Sequence, residues 1–423
     1  MLREIHITKL FGIFDYSIRL NEAGITILTG PNGYGKTTIL KIIHAVANKD
    51  ILFLLDLAFV QINLIYENKS FNTSIEKKEG DDDEILIIAQ EGVKLVETSR
   101  NNLLKRFGPR PRKIRRTIGK LWELDLDIDN RLRKYHNEFL ESREQLRLFE
   151  ENFQLPTVPE VYLIREQRLL KQVKRPTEEY YEEKDTVNYF DETIKEYAKE
   201  LRDYIAVTLS SYSQTTQQLD SSFPQRLFNE QDQIPEEAFN ARFERIKDVQ
   251  KALHRYGLSA TQEDNHPTYK AENAKALAVY LEDTETKLSV FQVLLKKLDL
   301  FTSILNERRF IFKKIHINKD EGFQFVTKDN TYLPLTELSS GEQQEVVLLF
   351  ELLFKVKPGT LVLIDEPEIS LHVAWQKEFI NDLIKITDLQ EINTIIATHS
   401  PQIISDRWDL TVDLEELIHE TVS

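Results

Sequence analysis

The sequence predicts an α/β chain, a mixed sheet with an antiparallel β subdomain that is interrupted by a long α-helical insertion of coiled-coil character. Three observations predict it. Gly30–Thr38 reads GPNGYGKTT and lies between a β-branched run and an amphipathic segment. Far downstream, Leu361–Glu368 reads LVLIDEPE, an apolar strand that ends in acids. Between Gly119 and Gly257 there is no glycine, and the stretch is rich in Glu, Lys, Arg, Gln and Leu. That is the composition of long polar-faced helices.

Taken in order, Ile5–Leu10 and Ile13–Leu20 alternate as two strands turning near Phe11-Gly12, and Ile25–Thr29 is a short buried-type strand. Thr38–Ala47 carries apolar residues at helical spacing. Phe59–Tyr66, Lys69–Lys77 and Glu84–Ala89 read as strands of a small antiparallel sheet, with turns at Asn68 and Gly80-Asp81. The acidic run Asp81–Glu84 reads as a solvated hairpin tip. Val161–Ile164 has the apolar density of a core strand. Arg131–Phe153, Thr186–Leu209, Glu236–Tyr256 and Tyr269–Phe310 read as helices. Arg309–Ile317 and Gly322–Lys328 form a hairpin, Gln344–Phe354 and Trp375–Ile386 are helices, and Thr360–Ile364 and Thr394–Ala397 are buried strands.

Composition bounds the function. The chain has 423 residues, with 55 Lys and Arg against 70 Asp and Glu, a net charge of −15. That balance argues against general coating of nucleic acid, although a local basic site stays open. No acidic residue falls between Glu97 and Glu123, whereas Arg100, Lys105, Arg106, Arg110, Arg112, Lys113, Arg115, Arg116 and Lys120 do. This segment is either a loop for an anionic partner, nucleic acid or an acidic protein, or a solvated basic loop. With no cysteine, disulfides, thiolate metal sites and cysteine nucleophiles are excluded, and a cytoplasmic setting is expected. The N-terminus has no signal-peptide pattern, and no apolar run is long enough to span a bilayer.

Gly30, Gly35, Lys36 and Thr37 fill the fixed positions of the phosphate-binding pattern G-x-x-x-x-G-K-[ST]. The glycines, with Pro31, Asn32, Gly33, Tyr34 and Thr38 between and after them, allow backbone N–H groups to close around a β-phosphate at a helix N-terminus. Lys36 is placed to reach the β- and γ-phosphates, and Thr37 to ligate Mg²⁺. Asp365 at a strand end can hold the same Mg²⁺, and Glu366 can deprotonate a water. His399 is either a contact to the γ-phosphate or attacking water, or a surface histidine. Asp125-Leu126-Asp127-Ile128-Asp129 only superficially resembles a metal pair.

With Leu338–Gln344 reading LSSGEQQ, the order of motifs resembles the ATP-binding-cassette ATPases, specifically their SMC/RecF/OLD-like branch. Its EISLH-x-x-WQ and ATHSP segments look most like stand-alone ATPases of bacterial antiphage systems, such as the PARIS sensor ATPase and the Septu ATPase subunit. The signature departs from LSGGQ at Ser340 and Glu342. The resemblance implies ATP and Mg²⁺ as ligands, with ATP sandwiched between two heads. Ser339, Ser340 and Gly341 would then act on the triphosphate of a second copy, and Ser370-Leu371-His372 would cross the seam. Gln167, or alternatively Gln61, would sense Mg²⁺. It further implies that residues 1–97, 158–170 and 309–423 make the head. Residues 98–157 would be the basic loop and the start of the insertion, and 171–308 its helical body. The expected partners are a second copy, a separate TOPRIM or HNH nuclease and a phage-protein trigger. DNA at Lys105–Arg116 is the alternative of a repair or tethering ATPase, and no membrane is expected.

Overall fold

A computed structural model of the chain describes residues 1–80, 83–102, 156–164, 189–259, 268–306, 310, 312–371 and 373–422. The expected helix Arg131–Phe153, the basic segment Lys105–Arg116, Asp125–Asp129, Asp81, Gln167 and His372 lie outside the described residues.

The elements in chain order are β1 (Leu2–Leu10), β2 (Phe14–Arg19), β3 (Ile25–Thr29), α1 (Lys36–Ala47), α2 (Ile51–Asp56), β4 (Gln61–Tyr66), β5 (Thr73–Glu79), β6 (Glu84–Gln90), β7 (Val93–Ser99) and β8 (Val161–Ile164). There follow α3 (Tyr189–Asn229), α4 (Glu236–Arg255), α5 (Ala274–Ser289), α6 (Gln292–Ile304), β9 (Lys313–Asn318), β10 (Gly322–Thr327), β11 (Tyr332–Leu333) and α7 (Ser340–Phe350). The chain closes with β12 (Leu361–Asp365), α8 (Phe379–Gln390), β13 (Asn393–Ala397), β14 (Thr411–Asp413) and α9 (Leu414–Val422). The described chain divides into two compact units, residues 1–166, 358–368 and 391–423 in the first, and 167–357 and 369–390 in the second.

The first unit carries a five-stranded parallel sheet of order β14-β3-β13-β12-β8. Its central strands are β-branched and buried along nearly their whole length, as parallel strands covered on both faces must be. The register places Leu28 opposite Ala397, and Ala397 opposite Asp365. The segments that follow β3, β12 and β13 therefore leave at one carboxyl edge, where open parallel sheets hold ligands. A six-stranded antiparallel sheet, β2-β1-β4-β5-β6-β7, accompanies it. One core joins these layers, built from Ile5, Ile7 and Ile18 on the antiparallel side, Ile39, Ile42 and Ile43 of α1, and Leu363 and Ala397 of the parallel sheet.

The second unit holds the long helices and a three-stranded sheet, β11-β10-β9. Aromatic packing ties α3 to α7. Tyr197 stacks on Phe350 at 4.6 Å, and Phe350 stacks on Phe354 at 5.0 Å. The Tyr197 hydroxyl donates to Glu351 at 2.5 Å, and Lys355 pairs with Glu200 at 2.6 Å. At Gly322, with φ 78°, any Cβ would fall 1.9 Å from the Ala198 carbonyl oxygen, so glycine lets β10 lie directly on α3.

Several expected boundaries move. Lys69–Phe71 forms a 3₁₀ turn rather than the start of a strand, because the Asn68 side chain accepts from Ser70 N–H and caps it. β7, not anticipated, pairs with β6 through the two-residue turn Glu91-Gly92, both at positive φ. The helix expected to stop at Leu209 runs on to Asn229, since Ser211 and Ser213 bond the carbonyls four residues back instead of breaking the helix. Tyr269–Phe310 is two helices, α5 and α6, broken where Phe291 turns in against Tyr212 at 5.1 Å. Trp375–Ile386 is likewise divided, into a single turn at Val373–Gln376 and α8. The Gln344–Phe354 helix starts earlier, at Ser340, and Glu351–Lys355 continues as a π turn.

Candidate active site

β3 ends at Thr29, and the chain then wraps into the loop that opens α1. Gly30, Gly33 and Gly35 take φ of 130°, 90° and 88°, values that other residues rarely adopt. Gly35 stands at the N-cap of α1 and provides no side-chain acceptor, so the first N–H groups of the helix are not capped from within. A Cβ on Gly35 would sit 3.0 Å from Leu10 Cδ2, which fixes the loop against the β1–β2 turn. Tyr34 stacks on Phe14 at 5.4 Å, and its carbonyl accepts from the Tyr16 hydroxyl at 2.7 Å. Lys36, only 5% exposed, folds over the loop and donates to the carbonyls of Gly30 at 2.7 Å and Pro31 at 3.2 Å. A buried ammonium beside a glycine-rich loop that opens a helix is a cradle for an anion.

The second element comes from β12. The Thr37 hydroxyl, in the first turn of α1, donates to Asp365 Oδ1 at 2.8 Å, although β13 lies between β12 and the strand β3 that leads to α1. Both donors are hard oxygens, the set that Mg²⁺ prefers, and they are already in contact at the end of the glycine-rich loop. The residues present therefore fit a Mg²⁺ ion.

The third element is Glu366. Its φ of 44° is left-handed, a strained backbone for a residue with a Cβ. Its N–H donates to the Ala397 carbonyl at 2.9 Å, which tucks the strand end against β13. Its carboxylate, 15% exposed, lies 2.6 Å from Nδ1 of the half-exposed His399. Burial pushes the Glu366 carboxyl up to about 7, the nearby Glu368 carboxyl adds to the rise, and His399 opposes it. A carboxyl poised near neutrality, fixed by strained backbone and by an imidazole, can take a proton from water.

The parallel register thus brings Lys36, Thr37, Asp365, Glu366 and His399 to one sheet edge. The signature residues belong to the other unit. Ser339 caps α7, its hydroxyl accepting from Glu342 N–H, while the Glu342 carboxylate accepts from Ser339 N–H at 2.8 Å and Ser339 Oγ at 2.9 Å. Lys313 holds the same carboxylate at 2.7 Å, and these hydrogen bonds keep Glu342 below the usual carboxylate range against the opposing effect of burial. Ser340 and Gly341 form the first turn of α7. Gln61 lies on β4, where its amide donates to Glu76 at 3.1 Å. Glu368 was legible in the sequence only as the last letter of LVLIDEPE, with no role attached. The available signal was a third acid within four residues of an apolar strand.

A family model described as an AAA ATPase domain matches residues 1–404. Over 87 residues the chain is 33% identical to protein ea59 of Escherichia phage lambda, a match covering 21% of this chain. The chain thus spans 17% of the length of that curated relative. Similar solved structures include the Smc head domain of Pyrococcus furiosus bound to the C-terminal domain of ScpA. It is 14% identical with a TM-score of 0.39, and the match covers 95% of this chain and 90% of that one. The SMC head domain from Thermotoga maritima is 10% identical with a TM-score of 0.36, covering 97% and 94%.

Proposed function

The chain belongs to the AAA ATPase domain family, and from that premise we propose that it binds ATP at Gly30–Thr38 and hydrolyses it with Glu366 as general base. The observation that carries this reading is the contact of Thr37 with Asp365, one residue before a Glu366 held on His399. Pro31, Asn32, Gly33, Tyr34 and Thr38 complete the loop whose amides hold the triphosphate. Lys36 exchanges its two carbonyl partners for phosphate oxygens. Thr37 and Asp365 are the residues that would hold Mg²⁺, which when bound neutralises charge on the β- and γ-phosphates. Glu366 accepts the proton of the attacking water, and His399 holds the carboxylate in place. Phosphate release from ATP tests this directly. Turnover should appear with Mg²⁺ and vanish with a chelator, and a well-folded protein that releases none sinks the reading.

The finer reading is that turnover acts as a switch. Two heads would sandwich ATP, each Ser339, Ser340 and Gly341 facing the triphosphate of the other copy, with Gln167 reporting the ATP state to the helical insertion. The ATPase would then hold and control a separate TOPRIM or HNH nuclease in a cytoplasmic antiphage complex and release it on a phage-protein trigger. Supporting this are the extended helix α3, bonded through Tyr197 and Glu200 to the end of the signature helix, and the resemblance to stand-alone defence ATPases. Co-expression with the neighbouring gene decides; an effector equally toxic with and without this chain removes the defence role. A DNA-tethering role, motivated by the basic segment Lys105–Arg116, predicts DNA affinity that falls steeply with salt. No affinity at low salt removes that alternative.

A further inference from the structure

We propose that Glu368 is a positioning residue that locks Thr398-His399 against the end of β12 and so keeps the His399 ring on Glu366. The inference rests on the reading of Glu366 as the base and adds a residue to it. Glu368 sits in the 3₁₀ turn Pro367–Ser370, immediately after the strained Glu366, and its side chain is 7% exposed. One of its oxygens, Oε1, takes three positions on the facing segment. It accepts from the Thr398 hydroxyl at 2.6 Å and from the His399 backbone N–H at 3.1 Å, and it lies 3.3 Å from His399 Nδ1.

The grip extends on both sides. The Thr398 hydroxyl, fully buried, also accepts from Ser400 N–H at 3.0 Å, which closes the turn after β13. Thr398 N–H donates to the Leu28 carbonyl at 3.2 Å, on the strand that feeds the phosphate loop. A single carboxylate therefore connects the segment after β12 with the segment after β13, which is itself bonded to β3. His399 needs that support, because its ring is 52% exposed and a surface imidazole held by one hydrogen bond alone would turn about its side-chain torsions. Burying a carboxylate is costly without donors, and the donors on Oε1 are those of the Thr398-His399 segment.

The test compares Glu368→Ala, Glu368→Gln and Thr398→Val in the full chain, measuring ATP turnover, ATP affinity by titration calorimetry, and the His399 ring resonances by ¹H–¹⁵N NMR. Misplacing a catalytic group by an ångström costs on the order of 100-fold in rate, so Glu368→Ala should lose kcat by about that factor while KM stays within about twofold. The Gln side-chain oxygen still accepts from Thr398 and from His399 N–H, so Glu368→Gln should recover most of the rate. Thr398→Val should fall between them and add little to Glu368→Ala, because both cut one connection. If Glu368→Ala does not fold, Thr398→Val carries the same comparison. Unchanged kcat in a folded Ala variant, or a Gln variant as slow as Ala, overturns the proposal. Should the wild-type chain hydrolyse no ATP, the reading of Glu366 fails, but the NMR arm still decides this inference. Ring resonances that shift in Glu368→Ala uphold it, and resonances that do not shift overturn it.

Discussion

The N-termini of α1 and α7 both carry residues expected to meet phosphate, and they are finished in opposite ways. α1 opens at Gly35 with no side-chain cap, and the nearby cation, Lys36, rests on backbone carbonyls of the loop. α7 opens at Ser339 with a complete capping box, and Lys313 balances the Glu342 carboxylate. Among the described residues, helix amides without a side-chain cap and a lysine bonded to two neutral carbonyls describe a site suited to an anion. A capped end with its own partly buried carboxylate already contains one. In the proposed sandwich, a phosphate that reaches Ser339 must share or displace Glu342. The first site should therefore govern affinity, and the second should govern how readily two copies associate.

The largest effect is expected at the first site. Charge-assisted hydrogen bonds to phosphate contribute about 1.5–3 kcal/mol each, so Lys36→Ala should weaken ATP binding on the order of 100-fold, as read by titration calorimetry. Binding that is unchanged would break the contrast at once. Next comes the pH response of turnover. Glu366 must be ionised to accept a proton, and its carboxyl is raised to about 7. The rate should thus fall about tenfold per pH unit below 7 and level off above it, the reverse of what a catalytic acid would give. A profile flat between pH 5 and 8 would assign the base elsewhere.

At the second site the effects are smaller and fall on stability and association. Ser339→Ala removes the cap of α7 and should cost about 1 kcal/mol, measured by chemical denaturation, while ATP affinity of the single chain stays unchanged. Glu342→Gln keeps a hydrogen-bonding side chain but deletes the competing charge. It should cost less than about 1 kcal/mol of stability and strengthen ATP-dependent self-association several-fold in sedimentation. Weakened association would mean that the carboxylate assists the second copy's triphosphate instead of competing with it.

How far the molecule could be read in advance follows the range of each signal. The glycine-rich loop between β3 and α1, the strand ending at Asp365 and the strand Val161–Ile164 were legible because local pattern and tertiary placement coincide: buried parallel strands must be apolar throughout. The extent of α3 was not legible, since whether a Ser-rich segment such as Ser210–Ser213 closes into helix depends on hydroxyls bonding carbonyls four residues back. The break at Phe291 has no glycine or proline to announce it and comes from packing on Tyr212. β14 has three residues and exists because β3 is there to pair with it. In the site, Glu366 and His399 were found as motifs, but the part of Glu368 depends on contacts made across thirty residues of chain, which no local pattern records.

The most direct measurement is ATP binding and turnover on the same preparation of wild-type and Glu366→Gln protein. Removal of a general base costs about 10²–10⁴-fold, so the variant should bind ATP as the wild type does, lose turnover by at least 100-fold, and accumulate in the ATP-bound state. Turnover within a few-fold of wild type would contradict the assignment of Glu366, and with it the account of the site at the end of β12.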